Sequence, residues 1–200
     1  MLKVGITGGI GSGKTTVCQV FQTLGIPVFY SDLAARYLME NDPQMSGTIR
    51  ELFGDEVYTE DGKLNREKMA AIAFSHPHKL QQLNEVVHPA TIAYSSKWME
   101  EQKSPYAIKE AAIFFESGSA KEMDVMIGVS APEKLRIFRA MGRDQVSQEK
   151  ITARMAQQMK DEEKMLLCDY VITNDDIAPV IPQVLQLHTI LLETAQAKSR

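Results

Sequence analysis

The sequence predicts an α/β fold, a three-layer α/β/α core on a five-stranded parallel sheet, with a helical segment inserted into it. Three observations lead there. Short apolar runs at Leu2–Thr7, Val28–Tyr30, Tyr106–Ile108, Val125–Val129 and Tyr170–Thr173 read as buried strands. A helical pattern joins the first two runs, and a strand–helix–strand crossover implies parallel strands. Residues 31–102 then keep helical spacing for too long to be a plain crossover, so they form an inserted subdomain.

Each element has its own signals. After the first strand and a run of glycines, Val17, Val20, Phe21 and Leu24 fall on one helix face. Gly25 ends that helix and Pro27 follows it. Ser31 or Asp32 caps the next helix, through Ala34, Ala35, Tyr37 and Leu38. Asp42-Pro43 supplies a cap with proline at the first helical position, ahead of Ile49, Leu52 and Phe53. Glu60 to Lys63 reads as a turn. Asn65 caps a helix through Met69, Ile72 and Phe74, and a long helical region runs from Pro77 to Gln102 with an interruption near His88-Pro89. Ile113–Phe115 lies at a strand-to-loop transition. Pro132 opens a helix through Leu135, Phe138 and Met141, and Ser147 caps another through Ile151, Met155 and Met159. A last amphipathic helix spans about Val180 to Gln196, leaving Ala197–Arg200 as a disordered tail.

Composition narrows the class. The 200 residues are 44% hydrophobic and 24% charged, ordinary for one soluble globular domain. A net charge of -4 lacks the basic footprint of a nucleic-acid binder. Cys18 and Cys168 are far apart and have no CxxC partner, so free thiols are expected rather than a disulfide or zinc site. MLKVGIT is too short for the apolar region of a signal peptide, and no apolar run approaches the roughly 20 residues that span a bilayer. A cytoplasmic protein without nucleic-acid or membrane partners is expected.

The strongest motif is Gly8-Gly9-Ile10-Gly11-Ser12-Gly13-Lys14-Thr15, which meets G-x-x-x-x-G-K-[ST] at every fixed position between a strand and a helix. Phosphate oxygens need donors that approach closely. Glycines let the backbone wrap them with N–H groups inward, and the following helix adds partial positive charge at its N-terminus. Gly9, Gly11, Ser12, Gly13 and Thr16 belong to this cradle. Lys14 reaches the β- and γ-phosphates, and the Thr15 hydroxyl can ligate Mg²⁺. The expected ligand is therefore ATP or another triphosphate with magnesium.

A P-loop serves kinases, motors and switches alike. The N-K-x-D and D-x-x-G motifs of GTPases are absent from the chain, which favours a small kinase. Asp32 follows the second strand, and the carboxyl ends of parallel strands share one side of a sheet. A carboxylate there can take a proton from a substrate hydroxyl, or simply cap a helix.

Taken with Ser31-Asp32-x-x-x-Arg36, the loop resembles that of the dephospho-coenzyme A kinases. The resemblance continues through His88-Pro89, through Ile113-Phe114-Phe115-Glu116-Ser117-Gly118, and through Ala131-Pro132-Glu133 with Arg139 and Arg143-Asp144. It ends with Arg154 to Met159 and Asp169 to Asn174. The chain departs from the family pattern at Ala112, where proline is usual, and at Arg136, where glutamine is usual. The first concerns the backbone before Phe114; the second adds a cation near the lid.

The resemblance implies transfer of the γ-phosphoryl group of ATP to the ribose 3′-hydroxyl of dephospho-coenzyme A. It implies Asp32 as the base, Lys14 and Arg139 as the other catalytic residues, and Arg143 and Asn174 on the nucleotide side. It places Arg36, His88 and Glu116 with the acceptor, which the inserted helices (about 31–102) hold; the residues themselves leave open that Arg36 pairs with Asp32 one turn before it, that His88 only caps or kinks its helix, and that Glu116 orients the lid. A helical lid (about 136–164) closes over the nucleotide-binding core (about 1–30, 103–135 and 165–200). From spacing alone, Arg139 and Arg143 share a helix face that Arg136 could join, and arginine forks suit phosphate; a solvated face paired to Glu133 or Asp144 is the other reading. Asn174 either holds the adenine by its amide or ends its strand. Two further readings remain: a P-loop kinase of another small acceptor, such as a nucleoside or nucleotide, and a nucleotide-dependent switch or binding protein.

Overall fold

A computed structural model describes residues 1–198, apart from the side chains of Arg66, Ala73, Phe74 and Pro77. Phe74, placed above on a helix face, and Ser199 and Arg200, placed above in a tail, thus lie outside the described residues. The chain divides into two compact units, one of Met1–Tyr30 with everything from Met99 onward, the other Ser31–Trp98.

The first unit is built on five parallel strands: β1 (Leu2–Thr7), β2 (Val28–Tyr30), β3 (Tyr106–Glu110), β4 (Val125–Ser130) and β5 (Tyr170–Thr173). Their order is β2-β3-β1-β4-β5, so β1, which leads into the glycine loop, lies at the centre. Ile6 pairs with Glu110 of β3 on one side and Ile127 of β4 on the other. β3 extends two residues beyond its expected end at Ile108, and Ile113–Phe115 forms turns rather than strand. The extension carries Lys109 and Glu110 to the carboxyl end of the sheet, where ligands of such folds bind.

Helix α1 (Lys14–Thr23) buries Val17, Cys18 and Phe21 on one stripe against the sheet. Burial among apolar neighbours pushes the Cys18 thiol well above its ordinary range. Of the other helices in sequence order, α2 (Ser31–Asn41), α3 (Pro43–Phe53), α4 (Arg66–Ser75) and most of α5 (Pro77–Glu100) make up the second unit. That unit has its own core of Met45, Ile49, Phe53, Val57, Leu83 and Val87. Asp42 caps α3 by accepting from Met45 N–H, and Asn65 caps α4 by accepting from Lys68 N–H.

Helix α5 corrects the expected break at His88-Pro89, because it runs through Pro89 without interruption. Proline removes one ladder donor and crowds the carbonyl four residues earlier. The turns beside it are pinned all the same: Leu83 and Val87 are buried in the core, and buried Thr91 donates its hydroxyl to Val87 O at 2.8 Å.

After β4 come α6 (Glu133–Asp144), α7 (Gln148–Met155) and α8 (Asp161–Leu166). α7 stops at Met155, short of the expected continuation to Met159, and the six-residue α8 had no periodic signal long enough to read. Finally α9 (Val180–Lys198) buries Val184, Leu187, Leu191 and Ala195 at three- and four-residue intervals. It extends through Ala197 and Lys198, which were expected to be disordered. Lys198 Nζ, 2.5 Å from Asp124 Oδ1, anchors that end.

Candidate active site

The glycine loop follows β1 directly. Gly8, Gly11 and Gly13 take φ of 151°, 78° and 92°, in the region that excludes most side chains. Gly13 sits at the N-cap of α1, where a Cβ would come within 2.0 Å of Asn174 Nδ2. The fold therefore requires glycine there as firmly as phosphate approach does. Thr15 and Thr16 stand exposed on the first turn of α1.

Lys14 folds back over the loop. Its Nζ donates to Gly8 O at 3.0 Å and Gly9 O at 3.4 Å, and lies 3.9 Å from Glu110 Oε1. Glu110 is 6% exposed. Sequence reading missed this residue because it ended the strand at Ile108. The available signal was a carboxylate closing an apolar run beside the loop strand.

Asn174, just past β5, is tied to the loop rather than left open. Its amide Nδ2 donates to Ser12 O at 2.9 Å, and its backbone N–H donates to Ser130 O at 2.8 Å. Arg139 of α6 donates to Asn174 O at 3.0 Å and to Asn174 Oδ1 at 3.4 Å, and pairs with Asp176. The other two arginines of α6 diverge from it. Arg143 is exposed and donates to Asp144, which Arg154 also reaches at 3.0 Å. Arg136 is 5% exposed and turns inward, with its Nη1 3.5 Å from Asp161 Oδ1. The spacing of three and four residues did not gather these cations on one phosphate-facing stripe.

Glu116 fastens the segment between α7 and α8. Its Oε1 accepts from Met159 N–H at 2.9 Å and from Lys164 Nζ at 3.0 Å, while Lys164 Nζ also donates to Ala112 O at 2.6 Å. Burial works to raise the Glu116 carboxyl, but bonds from its own backbone N–H, Met159 N–H and Lys164 outweigh it and hold the group below the ordinary range. Lys164 and Asp161, both buried, were not singled out from sequence.

In the helical unit, Asp32 is exposed in the first turn of α2. Arg36, one turn on, pairs with Glu40 rather than Asp32, its Nε 3.0 Å from Oε1. His88 lines a groove of about 460 Å³ on α5 with Leu80, Gln81, Asn84, Glu85 and Pro89, and burial lowers its imidazole pKa.

This arrangement can cradle a triphosphate at Gly8–Thr16 and supply cations to it. A family model described as dephospho-CoA kinase matches residues 2–179, across both units. The chain belongs to the dephospho-CoA kinase family. Among its relatives, a dephospho-CoA kinase of Bacteroides fragilis is 38% identical over 96% of this chain and 94% of its own. One from Coxiella burnetii is 36% identical, covering 98% of this chain and all of its own. A crystal structure from Thermus thermophilus superposes with a TM-score of 0.81 at 31% identity, over 96% of this chain and 97% of that one. Family membership and the five-stranded parallel sheet agree with the expected α/β P-loop fold. Among the described residues no group of three or more His, Cys, Asp and Glu could hold a metal ion, and no helix is long and apolar enough to cross a membrane.

Proposed function

We propose that the chain transfers the γ-phosphoryl group of ATP to the ribose 3′-hydroxyl of dephospho-CoA, giving CoA and ADP. The observation that carries this reading is the family match over residues 2–179, which includes the phosphate loop and the whole helical unit.

The residues then divide by role. The loop amides and Lys14 neutralise the β- and γ-phosphates; to do so Lys14 leaves the carbonyls of Gly8 and Gly9. Asp32 accepts the proton of the 3′-hydroxyl as its oxygen bonds to the γ-phosphorus and the bond to the β-phosphate oxygen breaks. The exposed Thr15 hydroxyl and the Glu110 carboxylate are hard oxygen donors beside the loop; that set suits Mg²⁺, which is held by a few protein groups and the phosphates. Mg²⁺ supplies charge neutralisation on the phosphates when bound. Arg139, on α6, swings from Asp176 toward the phosphates. Residues 136–164 act as the lid that excludes competing water, with Arg143 at its outer edge. The helical unit binds the acceptor through Arg36 and His88. Glu116 serves by anchoring the lid, and Asn174 by fixing the loop on which the adenine nucleotide rests. The free thiols Cys18 and Cys168 suit a reducing cytoplasm.

The test is incubation with ATP and Mg²⁺ against dephospho-CoA, nucleosides and nucleotides, following ADP and product mass. A mass gain of one phosphoryl group on dephospho-CoA supports the assignment. Turnover of a nucleoside with none of dephospho-CoA would sink it.

A further inference from the structure

The peptide unit joining Gly8 to Gly9 is held at both ends. Its carbonyl accepts from Lys14 Nζ at 3.0 Å. Its N–H donates to Asp161 Oδ1 at 2.9 Å, in a buried bond between residues 152 apart in sequence. In a trans peptide these two groups point in opposite directions. Whatever fixes the N–H therefore fixes where the carbonyl, and the lysine parked on it, must lie.

Asp161 is itself held. It is 8% exposed and Arg136, 5% exposed, lies 3.5 Å from it. Arg136 packs so closely on the loop that a Cβ at Gly9 would fall 1.9 Å from its Nη1, and one at Gly11 would fall 2.2 Å from its carbonyl oxygen. The charge of Arg136 has a second consequence. An unpaired carboxylate beside a phosphate loop would repel the triphosphate, whereas a paired one is tolerated.

We propose that Asp161 and Arg136 are positioning residues for the donor phosphates: Asp161 sets the Gly8–Gly9 peptide and through it Lys14, and Arg136 cancels the charge this requires. They also bring the first turns of α6 and α8 to one point on the loop. This inference rests on the phosphate loop binding ATP in the proposed reaction, but not on the identity of the acceptor.

The experiment titrates ATP into the protein by calorimetry with no acceptor present, and separately measures KM and kcat with dephospho-CoA. Arg136→Gln leaves the carboxylate unpaired, and ATP affinity is expected to fall about tenfold while KM for dephospho-CoA stays within twofold. Arg136→Gln with Asp161→Asn removes both charges, keeps an oxygen to accept from Gly9, and is expected to restore ATP affinity to within threefold. Asp161→Ala loses the acceptor and is expected to weaken ATP tenfold and lower kcat, with Asp161→Asn recovering most of the loss. If Asp161→Ala does not fold, the Arg136→Gln and double variants decide alone. A folded Arg136→Gln protein with unchanged ATP affinity, or a double variant weaker than the single, would overturn the proposal. So would losses in ATP affinity and dephospho-CoA KM that track melting temperature together. A chain that binds ATP as expected yet ignores dephospho-CoA refutes the acceptor assignment and leaves this inference standing.

Discussion

Replacing Glu116 with alanine tests the anchoring of the α7–α8 segment. Lys164 is 0% exposed at its side chain and Glu116 22%. The variant leaves the ammonium bonded to Ala112 O without its carboxylate, and Met159 N–H loses its acceptor. Removing one partner of a buried pair costs about 3–5 kcal/mol. Partial exposure of Glu116 lets water into the vacated space, so the lower end applies, about 3 kcal/mol. For a chain of this size each kcal/mol moves Tm by roughly 2–4 °C, which gives a fall of roughly 6–12 °C. Adding Lys164→Met removes the stranded charge and is expected to recover most of the loss. The sign of the pH response follows from the linkage. In wild type the Glu116 carboxyl is lowered when folded, so its stabilisation is present above its unfolded value of about 4.3 and is lost as pH falls below that. Thermal melts and urea titrations across pH measure the loss and its pH response. A loss below about 1 kcal/mol, or a double variant less stable than Glu116→Ala, would refute the account.

Three further outcomes are expected. Lys14→Ala lowers kcat by roughly 10²–10³, as loss of one preorganised charge-stabilising group does; a rate within tenfold of wild type would remove Lys14 from the transition state. Asp32→Asn keeps ATP affinity but slows transfer by roughly 10²–10⁴, read by calorimetry beside a coupled ADP assay; near-normal turnover would leave Asp32 a helix-start residue only. Gly13→Ala meets both a φ of +92° and Asn174 Nδ2 at 2.0 Å, so it destabilises by more than about 1 kcal/mol and weakens ATP as well. Wild-type melting and ATP binding in that variant would contradict the described loop.

What the sequence disclosed was governed by distance along the chain. The loop was readable because its recognition is local: Lys14 and the carbonyl it parks on are 6 residues apart. Strands and caps were readable for the same reason, as at Asp42-Pro43 and Asn65. Asn174 was located but its partner was not, since its amide meets Ser12 across 162 residues. Asp161 was missed because nothing in a short Asp-Glu-Glu-Lys run says that one carboxylate turns inward to a glycine 152 residues away. Arg136 shows the limit of spacing arguments. It lies three residues before Arg139 on one helix, yet one side chain is buried against the loop and the other turns to Asn174 and Asp176.

The long-range contacts also explain why the loop motif says so little about the reaction. Gly8–Thr16 alone would cradle phosphate in many proteins. In this chain its carbonyls and amides are tied to β5 by Asn174 and to the start of α8 by Asp161. Rearranging α6 to α8 must therefore either carry the Gly8–Gly9 peptide with it or break the Asp161 bond, and in both cases the carbonyl that holds Lys14 is affected. In the proposed reaction, such coupling would tie release of Lys14 for phosphate to the position of the segment that carries Arg139. A kinase benefits from that order of events, because a lysine engaged with phosphate before water is excluded would favour hydrolysis over transfer.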